Sequence, residues 1–271
     1  AADFGGGSGR IIAGTISKGK LHIEEIHRFT NRLVQLGKHI YWDFPCLFQD
    51  MKEGMRLAAK QGLKINGIGI DTWGVDFGLI DRNGNLLGNP ISYRDKRTVG
   101  IPEKVFDIIS KSEHYRRTGI QVMPINTLFQ LYSMLLEDCP QLTIADRLLF
   151  MPDLFNYFLT GVAANEYSIS STSEFLNANT HTWDVDLLSQ LKIPLHLFGE
   201  IRQPGTILGK LKKEIAKETG LDEIDVITVG SHDTASAIAA IPASGENYAF
   251  LSSGTWSLLG TETTHPILTE E

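Results

Sequence analysis

The chain of 271 residues, 42% apolar and 21% charged, has the make-up of an ordinary globular protein, long enough to bury one large core or two smaller ones. Its formal charge of −7, with no run of lysine or arginine, argues against nucleic acid or an anionic membrane surface as partner. No stretch is apolar and long enough to span a bilayer, no signal peptide is recognisable, and Cys46 and Cys139 stand apart without metal-ligand spacing, so a reducing cytoplasm is expected.

The chain opens on Asp3-Phe4-Gly5-Gly6-Gly7-Ser8-Gly9-Arg10. Glycine allows turns at positive φ and close approach to a ligand, and successive amides with a Ser hydroxyl form a concavity suited to phosphate oxygens. Such a turn alone is more often a plain hairpin. The flanking charges add to it, because Asp3 can organise Mg²⁺ and its waters while Arg10 closes the loop or reaches phosphate. A β-meander is expected next, with strands at 11–17 and 21–30 around Lys18-Gly19-Lys20. Asp43 can cap a helix running to about residue 60, whose buried stripe is Leu47, Met51, Met55, Leu57 and Ala58.

A buried strand at 65–71 precedes a hairpin, in which strands 75–80 and 86–91 flank the turn Asp81-Arg82-Asn83-Gly84. Residues 102–160 read as mostly helical, with stops at Gly119, Pro140 and Gly161 and an apolar helix at 154–159. Further helices are expected near 187–191 and 208–219. From 224 the alternation of strand, glycine turn and strand returns, which suggests a duplicated architecture whose second half begins there. Both ends read as cut, since the strand feeding the first glycine turn is short at Ala1 and the chain stops soon after Thr255.

Several segments can carry chemistry. In Ile70-Asp71-Thr72-Trp73-Gly74-Val75-Asp76-Phe77, Asp71 could simply cap local amides and Trp73 cover the core. A sugar site would use the same parts, with Trp73 stacking on the substrate, Asp76 accepting from hydroxyls and Gly74 admitting the substrate against the backbone. Tyr93-Arg94-Asp95-Lys96-Arg97-Thr98 reads as a solvated loop with surface ion pairs. Val229-Gly230-Ser231-His232-Asp233-Thr234-Ala235-Ser236-Ala237 follows an apolar strand and leads into a small-residue helix, so Asp233 is expected at a strand-to-helix turn facing a cleft. Neighbours on a strand end point to opposite sides, which disfavours His232 and Asp233 as a hydrolase dyad. A third small-residue turn, Leu251-Ser252-Ser253-Gly254-Thr255-Trp256-Ser257, again follows a strand. There is no Gly-x-Ser-x-Gly elbow, no zinc-type His or Cys pairing, no P-loop and no His-Arg-Asp catalytic loop.

Three phosphate-type turns and an Asp-bearing strand end, in this order, make the chain resemble the FGGY carbohydrate kinases of the actin-like and hexokinase-like ATPase superfamily. Besides the glycine turn, the resemblance is carried by Glu25-Ile26-His27-Arg28-Phe29, Asp71-Thr72-Trp73-Gly74-Val75-Asp76-Phe77, Tyr93-Arg94-Asp95, Asn126-Thr127-Leu128, Met151-Pro152-Asp153, Ser231-His232-Asp233-Thr234-Ala235-Ser236-Ala237 and Ser253-Gly254-Thr255-Trp256-Ser257. It implies an α/β, ribonuclease H-like ATPase domain with a mixed β-sheet flanked by helices. Residues 1–223 would form the N-terminal sugar-binding domain, and 224–271 the truncated beginning of a second, similar domain. It also implies transfer of the ATP γ-phosphoryl group to the 1-hydroxyl of L-rhamnulose with Mg²⁺. Asp233 would be the catalytic base; Gly6, Gly7, Ser8, Gly9, Arg10 and Thr255 would contact nucleotide phosphates. Gly74, His232 and Thr234 would line the sugar site, and Asp3 would hold Mg²⁺ through water. The alternatives are a kinase for another ketose, such as xylulose or fuculose, and an actin-like nucleotide switch without a sugar acceptor.

Overall fold

The structure, a computed structural model, describes residues 1–245, 248–253 and 257–269. Its organising element is a six-stranded mixed sheet in the order Ile207–Lys210, Asp225–Ile227, Gly67–Thr72, Ala2–Phe4, Ser8–Ser17, Lys20–Thr30. Asp225–Ile227, Gly67–Thr72 and Ala2–Phe4 run parallel, and the hairpin of Ser8–Ser17 and Lys20–Thr30 continues the sheet antiparallel. The segment expected to open a second unit at 224 therefore gives its strand to this first sheet.

Register decides which face does chemistry. Asp3 lies opposite Asp71 on one side and Arg10 on the other, and residues in register project to the same face. Alternate residues Ala2, Phe4, Ile11, Ile68 and Ile70 are buried on the opposite face. There Phe4 stacks on Phe155 at 4.3 Å between ring centroids. Two helices cover that face. Phe44–Lys60 starts where the Asp43 carboxylate accepts the Cys46 amide at 3.2 Å, with Pro45 in the first turn. A side chain at its Gly54 would drive into Ile11, so glycine sets how closely helix and sheet approach. The second helix is Met151–Thr160, ended by Gly161 at φ +84°.

A second core forms around the antiparallel pair Phe77–Asp81 and Ala145–Phe150. The expected hairpin partner at 86–91 is reduced to a single bridge, Ile80 to Leu86. Ala145–Phe150 takes its place, although the stretch reads as helix in the sequence. Its run Leu148-Leu149-Phe150 is buried throughout, and a continuously buried strand has no alternation to distinguish it from a buried helix. Thr127–Leu136 and Val185–Gln190 pack their apolar faces on this pair.

Candidate active site

The three parallel strands end side by side, the place where open α/β sheets gather their ligands. Their exits are cross-tied: the Trp73 amide donates to the Phe4 carbonyl and the Thr72 amide to the Ser231 carbonyl, both at 2.9 Å. The glycine turn, the segment around Gly74 and the segment carrying Asp233 thus converge on one edge of the sheet.

Asp233 is the first residue of the helix Asp233–Ala239, preceded by His232 as an extended N-cap (φ −83°, ψ 126°). Its Oδ1 accepts the Thr234 amide at 2.7 Å and the Thr234 hydroxyl at 3.3 Å, and the side chain stays 36% exposed. His232 Nε2 stands 3.3 Å from Asp233 Oδ1, contrary to the expectation that these neighbours diverge. The reason is local: strand alternation ends at the N-cap, and the turn into the helix swings Asp233 back toward the imidazole. Burial lowers the His232 pKa, with the Asp233 charge pulling the other way, so the ring is neutral at physiological pH.

Gly74 faces the same place. A Cβ there would lie 3.3 Å from His232 Nε2 and 3.5 Å from the Thr172 hydroxyl. Gly74, His232, Asp233 and Thr234 therefore lie together.

Of the two readings open for the neighbouring Trp73-Gly74-Val75-Asp76 segment, Trp73 and Asp76 follow the structural one. Asp76 is fully buried, and its carboxylate already accepts from Trp42 Nε1 (2.6 Å), Trp73 Nε1 (3.0 Å), the Tyr93 amide (3.1 Å) and Gln130 Nε2 (3.0 Å). Buried completely among these four donors, it is out of reach of a substrate hydroxyl. Trp73 is buried against Trp42, 4.1 Å between ring centroids, and offers no face to a sugar. Between them Val75 holds φ +68°, an unusual value for a β-branched residue. Thr127 Oγ1 and Gln130 Nε2 fix it by donating to its carbonyl at 2.7 and 3.2 Å, which sets the direction of the Gly74 turn.

The glycine turn is shaped differently from the expectation. None of Gly5, Gly6, Gly7 and Gly9 takes a positive φ; what glycine provides here is space. A side chain at Gly9 would drive into the Phe29 ring, and one at Gly6 would come within 3.2 Å of the Tyr93 hydroxyl, whereas nothing lies within 4 Å of the corresponding point at Gly7. The turn is closed by the Gly5 amide on the Ser8 carbonyl at 3.0 Å and by Asn31, whose amide donates to the Gly7 carbonyl at 3.1 Å. Arg10 is ion-paired with Asp3 and so closes the loop.

Charge accumulates along this edge. The Asp71 carboxyl is pushed up to about 8, first by burial and then by the negative charges of Asp3 and Asp233. Sequence reading gave Asp71 only a capping role, because its proximity to Asp233 depends on strand pairing between distant segments. Asp3 and Asp233 are the carboxylates here whose chemistry suits Mg²⁺, Asp3 being shared with Arg10. Among the described residues no group of three His, Cys, Asp or Glu side chains is placed to hold a metal ion. Thr255 lies outside the described residues.

Sequence reading also missed the supports. Asp95, expected in a solvated loop, is buried and accepts the Ile40 and Arg97 amides, both at 2.8 Å. Glu166 is buried and accepts the Ser168, Ile169 and Ser231 amides at 2.8, 3.0 and 3.2 Å. Only the cap-like spacing of Glu166 before a short helix could have marked it.

Comparison with known proteins agrees with this geometry. The N-terminal domain of the FGGY family of carbohydrate kinases matches residues 1–240. Curated relatives include the rhamnulokinase of Bacteroides thetaiotaomicron, 48% identical over 100% of this chain and 56% of that protein, and that of Bacillus subtilis, 40% identical over 100% of this chain and 55% of that protein. The chain thus spans about half the length of the curated relatives it matches. Among solved structures, a carbohydrate kinase from Novosphingobium aromaticivorans superposes with a TM-score of 0.80 at 20% identity, over 98% of this chain and 57% of that one. A ligand-bound xylulose kinase from Lactobacillus acidophilus gives 0.73 at 20% identity, over 86% and 47%. The fold is accordingly the actin-like, hexokinase-like one of the sugar kinases, as the resemblance implies. The converging strand ends, the mixed sheet and the match over residues 1–240 place this chain in the FGGY family of carbohydrate kinases, whose N-terminal domain it contains.

Proposed function

We propose that the chain supplies the sugar-binding half of a kinase that transfers the γ-phosphoryl group of ATP to the 1-hydroxyl of L-rhamnulose. The observation that carries the reading is Asp233: a half-exposed carboxylate at the strand-end convergence, beside Gly74 and His232. Support for the substrate comes from relatives named rhamnulokinase, 48% and 42% identical over nearly the whole chain. Membership of a carbohydrate kinase family itself implies a sugar and ATP as substrates. A cytoplasmic setting is proposed on the two free cysteines, and a lack of nucleic-acid or membrane partners on the acidic charge; among the described residues no helix is long and apolar enough to cross a membrane.

Phosphoryl transfer asks the protein mainly for alignment and charge neutralisation. Gly74, His232 and Thr234 position the ketose so that its 1-hydroxyl meets Asp233. The hydroxyl oxygen bonds to the γ-phosphorus, and the bond from that phosphorus to the β,γ-bridging oxygen breaks. ADP leaves with the electron pair, and the hydroxyl proton passes to the Asp233 carboxylate. Backbone amides of Gly6, Gly7, Ser8 and Gly9 hold phosphate oxygens, and Thr255 would contact phosphate as well. Arg10 acts at one remove, orienting Asp3, which would hold Mg²⁺ through water. The bound ion supplies neutralisation of the phosphoryl charge. A second, similar unit would begin after the strand Asp225–Ile227 rather than at 224, because that strand is bonded into the first sheet.

An ADP-coupled assay of the intact protein with a panel of ketoses tests the reading. The highest kcat/KM is expected with L-rhamnulose. Preference for xylulose or fuculose would reassign the substrate, and ATP turnover indifferent to any sugar would overturn the kinase itself.

A further inference from the structure

The loop at Tyr93 and Arg94 lies against the glycine turn, and its base is fixed from beneath. The Tyr93 amide donates to the buried Asp76 carboxylate at 3.1 Å and the Arg94 amide to the Ser92 hydroxyl at 3.2 Å. From that base the Arg94 guanidinium lies over the Tyr93 ring, 5.4 Å from its centroid. Its Nε donates to the Tyr93 hydroxyl at 3.3 Å and its Nη2 to the Gly6 carbonyl at 3.2 Å. Arg94 is exposed, and among the described residues no carboxylate pairs with it. On the neighbouring strands Arg10 is paired with Asp3 and Arg28 with Glu25.

A guanidinium offers five donors in a fixed fork matched to phosphoryl oxygens. Arg94 uses two of them on neutral groups. Its surroundings explain why a free cation belongs there. The edge of the sheet carries the carboxylates of Asp3 and Asp233, and Arg10 beside them is bound to Asp3. A polyanionic nucleotide entering over the glycine turn needs positive charge that this edge lacks, whereas an uncharged sugar does not. The space beyond Gly7 is open, so a phosphoryl group there would lie beside the guanidinium.

We propose that Arg94 is a substrate-contacting residue of the transfer site, whose guanidinium turns from the Gly6 carbonyl onto the terminal phosphoryl oxygens of ATP. The inference rests on the proposed kinase reading. The contact strengthens as charge shifts during transfer, the role of a preorganised donor. Arg94 differs from the glycine-turn amides in being a side chain held at the surface by a carbonyl and a phenol.

The test uses the intact protein with Arg94→Ala and Arg94→Lys. Alanine is expected to lower kcat by on the order of 10²-fold, to weaken Mg-ATP binding more than Mg-ADP binding in titration calorimetry, and to leave the sugar KM and the melting temperature nearly unchanged. Lysine keeps the charge without the fork and recovers part of the loss; added guanidinium raises the rate of the alanine variant. Turnover within about twofold of the parent (well below the loss expected of a phosphate-contacting donor), or a loss confined to the sugar KM, overturns the assignment. If the parent shows no sugar-dependent ADP release, the kinase reading fails. The Mg-ATP to Mg-ADP affinity ratio of parent and variant still decides the role of Arg94, an unchanged ratio counting against it.

Discussion

The Ser231 backbone amide donates to Glu166 Oε2 at 3.2 Å, while the Ser231 carbonyl accepts the Thr72 amide at 2.9 Å. The residue two positions before Asp233 is thereby held between the sheet and the segment at 166–168. A second tie runs from the His232 amide to the Ser168 hydroxyl at 3.3 Å, and that hydroxyl donates to the same Glu166 oxygen at 2.7 Å. A buried carboxylate with no cation must be stabilised by such donors, and burial raises the Glu166 pKa against their pull.

Replacing Glu166 by Gln puts an amide NH2 where Oε2 receives donors, or swaps the loss to the other oxygen. With NH2 at the Oε2 position the Ile169 and Ser231 amides lose their acceptor, and with it at Oε1 the Ser168 amide does, at a cost of about 1–3 kcal/mol; the first orientation is the one that frees Ser231. The expected outcome is a fall in kcat with little change in sugar KM, accompanied by faster hydrogen exchange at the Ser231 amide. Unchanged exchange and unchanged kcat together would dismiss Glu166 as a positioning residue for Asp233.

For Asp233 itself, Asp233→Asn preserves the size of the side chain and its acceptor for the Thr234 amide, so sugar affinity should survive. Removal of the base should reduce kcat by about 10²- to 10⁴-fold. Sugar affinity by calorimetry and turnover by coupled assay separate these effects, and near-normal turnover is incompatible with the assignment.

Local structure was legible wherever a single segment decides it. The Asp43 cap of Phe44–Lys60, the tight turn between Ser8–Ser17 and Lys20–Thr30 and the Asp233 helix start all follow from neighbouring residues. What could not be read depends on partners far along the chain. The pairing of Phe77–Asp81 with Ala145–Phe150 leaves no periodic trace in a continuously buried run. Asp76 has the composition of a sugar ligand, and only the arrival of Trp42 and Gln130 from distant segments turns it into a structural anchor. The raised pKa of Asp71 is likewise a product of strand register.

Asp71 makes a pH prediction with a definite sign. Its folded pKa is raised to about 8 from the ordinary 3.8, so folding takes up a proton wherever the unfolded carboxyl is ionised and the folded one is not. The stability this proton uptake represents is fully present below 3.8, declines as pH rises, and is lost by the time pH passes about 8. Asp71→Asn stays neutral throughout and removes that decline. Thermal melts from pH 5 to 8.5 should show the variant gaining on the parent as pH rises. Parallel curves would mean that Asp71 carries an ordinary charge in the folded chain.

Asp76 separates structural from substrate-binding roles most sharply. Removing its carboxylate in Asp76→Ala strands the Trp42 and Trp73 indole N–H groups, the Tyr93 amide and Gln130 Nε2. These lie in a site that excludes water, beside the largely buried Arg97, whose Nη2 donates to Gln130 Oε1 at 2.6 Å. Deleting one member of such a buried charged network costs about 3–5 kcal/mol, a large share of the stability of a domain. The expected result is a pronounced drop in urea midpoint, or insoluble protein. Asp76→Asn, which keeps one acceptor, should lie between Asp76→Ala and the parent in stability and bind sugar normally once folded. A stable Asp76→Ala variant defective only in sugar affinity would return Asp76 to the substrate.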